Sequence, residues 1–234
     1  MLGNHNNMDS VRSTNRNILI VDDHPLNVDS YRILLSDIES NNNANYLLSY
    51  DCEQAYKLIF KTNLNSETID FAFLDISLPP FEEKNILSGS DLALEIRKLF
   101  PLCKIIIISM HKEPLLVNQI YSSIQPEGFI AKSDVNYKLF PEVFQCIAND
   151  EIYFSPSIKQ AQKVMIQNNI NWDNYDSKIL QLIDQGIKTI NLPEFIPLSL
   201  SAIEKRKANI KKQLIMESGS DKELLDAARN LGFL

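Results

Sequence analysis

Phe71-Ala72-Phe73-Leu74-Asp75-Ile76-Ser77-Leu78-Pro79 is an apolar run that ends in one carboxylate and breaks at the prolines Pro79 and Pro80. Its length and its aromatic and branched residues predict a strand buried on both faces, as central strands of parallel sheets are. Asp75 then stands at the carboxyl end of that strand. In open α/β sheets ligands bind at this edge, so the acid has a chemical reading beside the plain one in which it caps the next loop.

A second apolar run, Asn17-Ile18-Leu19-Ile20-Val21, ends the same way in Asp22-Asp23-His24-Pro25. Three carboxylates therefore meet at one sheet edge. Adjacent acids repel unless a cation lies between them, and hard oxygen donors suit Mg²⁺ or Mn²⁺. Two more strands complete the set: residues 104–108 lead into Ser109, and Gly128-Phe129-Ile130-Ala131 leads into Lys132. A carboxylate nucleophile, an acid pair, a hydroxyl and an ammonium, each after its own strand, make a constellation for phosphoryl transfer. The cation and Lys132 would offset charge on the transferred oxygens, and Ser109 would donate to one of them.

The order and spacing of these residues resemble the receiver domain of two-component response regulators, over about residues 16 to 150. The resemblance implies a doubly wound, five-stranded parallel sheet of the flavodoxin or receiver type. It makes Asp75 the phosphoacceptor, with Asp23 as a direct metal ligand and Asp22 acting through water. The backbone carbonyl of Ser77 becomes a further ligand, Ser109 the switch hydroxyl, Lys132 the strand-end lysine and Phe129 the switch aromatic. The implied cofactor is Mg²⁺ or Mn²⁺ and the implied partner a sensor histidine kinase. The chemistry is self-catalysed acceptance of a phosphoryl group, not turnover of a substrate.

At 234 residues and 44% hydrophobic content the chain can bury one large or two modest cores. No apolar run approaches the length that spans a bilayer. Residues 1–16 are polar and Asn-rich, which predicts a disordered tail and no export signal. Cys52, Cys103 and Cys146 are scattered and odd in number, as expected of reduced thiols in a cytoplasmic protein. His5, His24 and His111 show no ligand pattern. The net charge of −7 hides an asymmetry, because from Asp173 onward acids and bases balance. Between Ser201 and Gln213, however, Lys205, Arg206, Lys207, Lys211 and Lys212 face a single acid, Glu204, giving one strongly basic helix.

In chain order, Pro25 and the set Val28, Tyr31, Leu34, Leu35 and Ile38 predict an amphipathic helix ending near Ser40. Residues 46–50 form a second strand, 53–61 a helix and 69–75 the acceptor strand, so strands and helices alternate as parallel sheets require. The loop 78–89 is long, and its prolines and Glu82-Glu83 predict an extended, solvated insertion or a partner-docking segment. Helices follow over 91–100, 114–124 and 139–149. Ser155-Pro156 reads as an N-cap with a first-turn proline, opening a linker helix to Gln167, and residues 151–172 form linker helix and linker.

From residue 173 to 234 the pattern is helical throughout: 176–185 with Gly186 as its stop, a short helix capped by Thr189, a long one from Ser199 to Ile215, and one over 221–230. This order resembles the helix-turn-helix DNA-binding domain of LuxR-type (NarL/FixJ) response regulators. Two departures stand out. The family's opening Thr-x-Arg-Glu is replaced by Asn174-Tyr175-Asp176-Ser177, and Lys207 falls near a position commonly apolar. On the long helix Ile203, Ile210 and Leu214 share one side. Ser201, Lys205, Ala208 and Lys212 lie opposite and, with Arg206, are the candidate DNA contacts.

A metal-dependent phosphatase would place its acids as Asp-x-Asp on the first strand, whereas Asp22 and Asp23 are adjacent. A nucleotide site fares worse, since residues 22–27 contain no glycine for a phosphate-cradling loop. The reading is a phosphorylation-dependent transcriptional regulator that binds double-stranded DNA and forms a homodimer on activation. The alternative is a receiver whose tail binds a protein.

Overall fold

The computed structural model describes residues 16–38, 43–168, 170, 172–215 and 219–234. Apart from Arg16, the segment expected to be a disordered tail lies outside the described residues. Six parallel strands, β1 (Asn17–Val21), β2 (Asn45–Ser49), β3 (Phe71–Asp75), β4 (Lys104–Ser109), β5 (Gly128–Ala131) and β6 (Tyr153–Phe154), form one sheet in the order β2-β1-β3-β4-β5-β6. Five were expected. The sixth is only two residues long, too short to display a period, and it occupies the open edge of β5, pairing Phe154 with Phe129.

Side-chain alternation along the strands divides the core in two. Ile18, Ile20, Phe71, Phe73, Ile106, Ile108 and Ile130 point to one face, where Val28, Tyr31 and Leu35 of α1 (Pro25–Ser36) and Phe140, Val143 and Phe144 of α5 (Leu139–Ala148) cover them. Leu19, Val21, Ala72, Leu74, Ile105, Ile107, Phe129 and Ala131 point to the other. There they meet α2 (Cys52–Leu64), α3 (Gly89–Leu99) and α4 (Pro114–Ile124). Helix α6 (Pro156–Gln167) belongs to the same layer, since Ile158 and Ala161 join Val117 and Ile120 of α4 in one cluster. The first half of the linker helix thus packs into the α/β layer.

Three local expectations change. The loop after β3 is packed, not extended: Phe81 and Ile86 form an antiparallel bridge around a 3-10 turn at Glu82–Lys84, and Phe81 meets the Tyr56 ring edge-on at 5.7 Å. Burial of Leu78 and Ile86 explains why this insertion is ordered. Ser155 sits at the start of α6 but makes no side-chain cap bond there. Thr189 begins a 3-10 turn (Thr189–Glu194) whose flanking residue Lys188 provides no side-chain cap either.

The remaining helices are α7 (Asn174–Asp184), α8 (Leu200–Ile215) and α9 (Asp221–Asn230). Reciprocal capping boxes start two of them, Asp173 with Asp176 on α7 and Ser220 with Glu223 on α9. Gly186, at φ +83°, ends the α7 segment in the left-handed region that glycine adopts without strain. Ile179, Leu180, Leu192, Ile203, Ile210, Leu224 and Phe233 form a third core, which also takes in Leu115 of α4 and Met165 of α6. Among the described residues no helix is long and apolar enough to cross a membrane.

Candidate functional site

Parallel pairing sets the site. Val21 lies beside Leu74, Asp75 beside Ile108 and Ser109 beside Ala131, so the residues that end or follow these strands emerge at one edge. Asp22 (1% exposed), Asp75 (3%) and Ser109 (0%) are buried there. The ammonium of Lys132 stands between two acids, 2.7 Å from Asp22 Oδ2 and 2.7 Å from Asp75 Oδ2. The other oxygen of Asp75 accepts the N–H of Ser77 at 3.3 Å.

These contacts decide the charge states. Burial pushes the Asp75 carboxyl above the ordinary aspartate value of 3.8; Lys132 opposes that and the charge of Asp22 adds to it. For Lys132 burial works against the charge, but its close contacts with the carboxylates of Asp22 and Asp75 override it and hold the proton above the ordinary lysine range. The result is a buried carboxylate kept beside a cation.

Asp22 Oδ1 accepts from the backbone N–H of His24 and from Asn27 Nδ2, both at 3.0 Å. Its Oδ2 is buried and, although the ammonium of Lys132 is 2.7 Å away, receives no hydrogen bond of good angle. A buried carboxylate oxygen without a well-angled hydrogen bond, beside the exposed Asp23, fits a small divalent cation. Asp22, Asp23 and His24 bring ligand atoms within 4.8 Å of one another. His24, expected to have no ligand pattern, therefore belongs to the acidic cluster, its Nδ1 2.6 Å from Asp23 Oδ1. Its position directly after two acids was the available signal.

On the far side, Ser109 Oγ accepts the N–H of His111 at 3.0 Å, and the His111 ring reaches Ser77 Oγ at 3.3 Å. Phe129 is fully buried against the helix layer. Gly89 is a positional requirement that went unread: a Cβ there would lie 1.8 Å from the carbonyl oxygen of Asp75. Only a glycine lets α3 start so close to Asp75.

A family model of the response regulator receiver domain matches residues 18–140. The chain belongs to that family. Among solved structures, this response regulator is similar to RcsB from Salmonella enterica serovar Typhimurium bound to a promoter with the phosphomimetic BeF3-. That match has 21% identity and a TM-score of 0.61, covering 94% of this chain and 99% of the other. It also resembles the isolated REC domain of RcsB from the same organism, at 23% identity and TM-score 0.51, over 63% of this chain and 99% of that one. A third similar structure shows two RcsB dimers on two parallel DNAs, at 20% identity and TM-score 0.59, covering 92% and 98%. A comparison with curated proteins found no match.

In the helical region of this response regulator, Ser201, Lys205, Ala208 and Lys212 are exposed on α8, while Ile203 and Ile210 are buried. Arg206 does not join that face. Its guanidinium binds Asp173 at 2.9 Å and Asp176 at 2.9 Å, tying α8 to the start of α7. Lys207, the departure from an apolar position, is 13% exposed and donates to Thr189 Oγ1 and Asp221 Oδ2 at 2.7 and 2.6 Å. Lys211 also reaches Asp221, at 2.9 Å. Three of the five basic residues, Arg206, Lys207 and Lys211, are thus committed to partners within the helical region.

Proposed function

We propose that this chain is a phosphorylation-switched, DNA-binding transcriptional regulator, with a receiver over residues 17–150, linker helix and linker over 151–172, and a helix-turn-helix domain over 173–234. The observation that carries the reading is the Lys132 ammonium held between Asp22 and Asp75 at the strand ends of a receiver-family segment. Asp75 attacks the phosphorus of a donor; a new O–P bond forms as the donor's P–N or P–O bond breaks and the leaving group keeps the electron pair. Lys132 offsets the charge on the transferred oxygens. Asp22, Asp23, Asp75 and the Ser77 carbonyl would hold Mg²⁺ or Mn²⁺, which when bound supplies further charge neutralisation.

The phosphoryl group brings strong acceptor oxygens, toward which Ser109 turns its hydroxyl, and Phe129 moves into the space vacated behind it. Ser201, Lys205, Ala208 and Lys212 of α8 then meet DNA. DNA complexes and dimers of the similar RcsB support DNA and a second copy as partners; the receiver domain implies a sensor histidine kinase as donor, and the regulator acts in the cytoplasm. The protein-binding alternative for the tail draws no support from a specific contact.

The test is intact-mass measurement after treatment with acetyl phosphate and Mg²⁺, followed by selection of bound fragments from random DNA. One added phosphoryl group in the parent, none in Asp75→Asn, metal dependence lost in Asp23→Ala, and enrichment of a DNA motif on phosphorylation are expected. Ser109→Ala should accept phosphate yet enrich DNA weakly. Full labelling of Asp75→Asn overturns the acceptor, and selection without a motif overturns the DNA role.

A further inference from the structure

The turn that carries the site lysine is fastened on both sides to the start of the linker helix. Lys132, Ser133 and Asp134 form one 3-10 turn directly after β5 (Lys132–Asp134), so the backbone of Lys132 cannot shift without moving Asp134. Asp134 Oδ2 accepts the N–H of Ser157 at 2.9 Å, and its Oδ1 accepts the Ser157 hydroxyl at 2.8 Å. The cap that Ser155 does not give α6 is therefore supplied from the turn beside the acceptor site. Ser155 works in the opposite direction: its fully buried Oγ accepts the N–H of Ala131, the residue before Lys132, at 3.0 Å. Its own N–H donates to the carbonyl of Phe129 at 3.0 Å. At the far end of α6, Met165 enters the core of the helical region beside Leu115 and Leu180.

We propose that Asp134 and Ser155 are positioning residues for phosphoryl transfer: through the first turn of α6 they hold Lys132 between Asp22 and Asp75, and the same bonds couple occupancy of Asp75 to the seating of α6. The proposal rests on Asp75 being the acceptor. The coupling runs both ways, because a group that displaces Lys132 toward transferred oxygens pulls on the turn that caps α6, and loosening α6 releases the lysine. Burial of Ser155 and the two-bond grip of Asp134 leave no slack in which one end moves alone.

The experiment measures the rate of phosphorylation of the full chain by acetyl phosphate across a Mg²⁺ titration, read by intact mass. Asp134→Ala is expected to lower the maximal rate about fivefold to tenfold, the factor that a lost cap corresponds to, with the Mg²⁺ midpoint held within about twofold. Asp134→Asn, which keeps an acceptor for the Ser157 N–H, should recover most of the rate, and Ser155→Ala should lose rate in the same direction as Asp134→Ala. If Asp134→Ala does not fold, Ser157→Ala removes one of the two bonds and should show a smaller loss. A parent that takes no label on Asp75 overturns the acceptor reading and this proposal with it. A parent that labels, with variants that melt earlier yet label at the parental rate, overturns this proposal alone.

Discussion

The ammonium of Lys132 lies 2.7 Å from Oδ2 of Asp75, although β3, which Asp75 ends, and β5, which Lys132 follows, are separated by β4. Removing the lysine leaves Asp22 and Asp75 buried side by side without a cation. Lys132→Ala should therefore cost about 3 kcal/mol of stability at neutral pH. The deficit should shrink in acid. Burial already raises Asp75 above its ordinary 3.8, so its charge disfavours folding above the raised value, and that penalty vanishes as pH falls toward 3.8. Urea unfolding at about pH 7 and about pH 4.5 checks this; an equal deficit at both means that Asp75 does not change its protonation between them.

Gly89→Ala should be costly despite its small size. The added carbon would meet a backbone oxygen at 1.8 Å, and backbone cannot rotate aside as a side chain does. We expect a loss of about 2–3 kcal/mol from overpacking together with slower phosphorylation, because the strain falls on Asp75 itself. A variant that unfolds at the parental denaturant midpoint would show that α3 starts further from β3.

On α8 three basic residues should behave in three ways. Lys205→Ala should cost about 1–3 kcal/mol on a preferred DNA site and relax preference at one or two positions, as loss of a base contact does. Lys212→Ala should weaken all sequences alike and shallow the salt slope by about one unit. Arg206→Ala should instead lower stability, since its charge is committed to Asp173 and Asp176. Binding isotherms on selected and scrambled sites at several salt concentrations, with parallel unfolding curves, separate the three.

The Lys207 and Asp221 pair predicts a pH dependence of opposite sign to the first. Burial opposes the Asp221 charge, but hydrogen bonds from Lys207 and Lys211 outweigh it and hold the carboxyl below its ordinary 3.8. Its contribution is thus complete above 3.8 and is lost as pH falls through the lower folded value. Asp221→Asn should cost about 1 kcal/mol at neutral pH, modest because the carboxylate is half-exposed, and nothing in strong acid. Trp172, the single tryptophan, lies 5.2 Å from the Phe233 ring and reports unfolding of this region by fluorescence.

Alternation and strand-end chemistry were legible in the residues themselves. Each central strand is a short apolar run, parallel strands all finish at one edge, and so the residues that follow, Asp22, Asp75, Ser109 and Lys132, had to converge whatever the loops did. Ile203 and Ile210 against Lys205 and Lys212 were likewise fixed by the helical period. The tertiary structure alone decided which polar groups would be consumed by one another. Asp134 caps a helix 23 residues away, Arg206 binds Asp173 from a distance of 33, and Tyr153-Phe154 become a strand only because the edge of β5 is open beside them. Local periodicity encodes which face a side chain takes, but hydrogen bonds and ion pairs between distant residues exist only once docking has fixed the distance between them, and no local pattern records that distance.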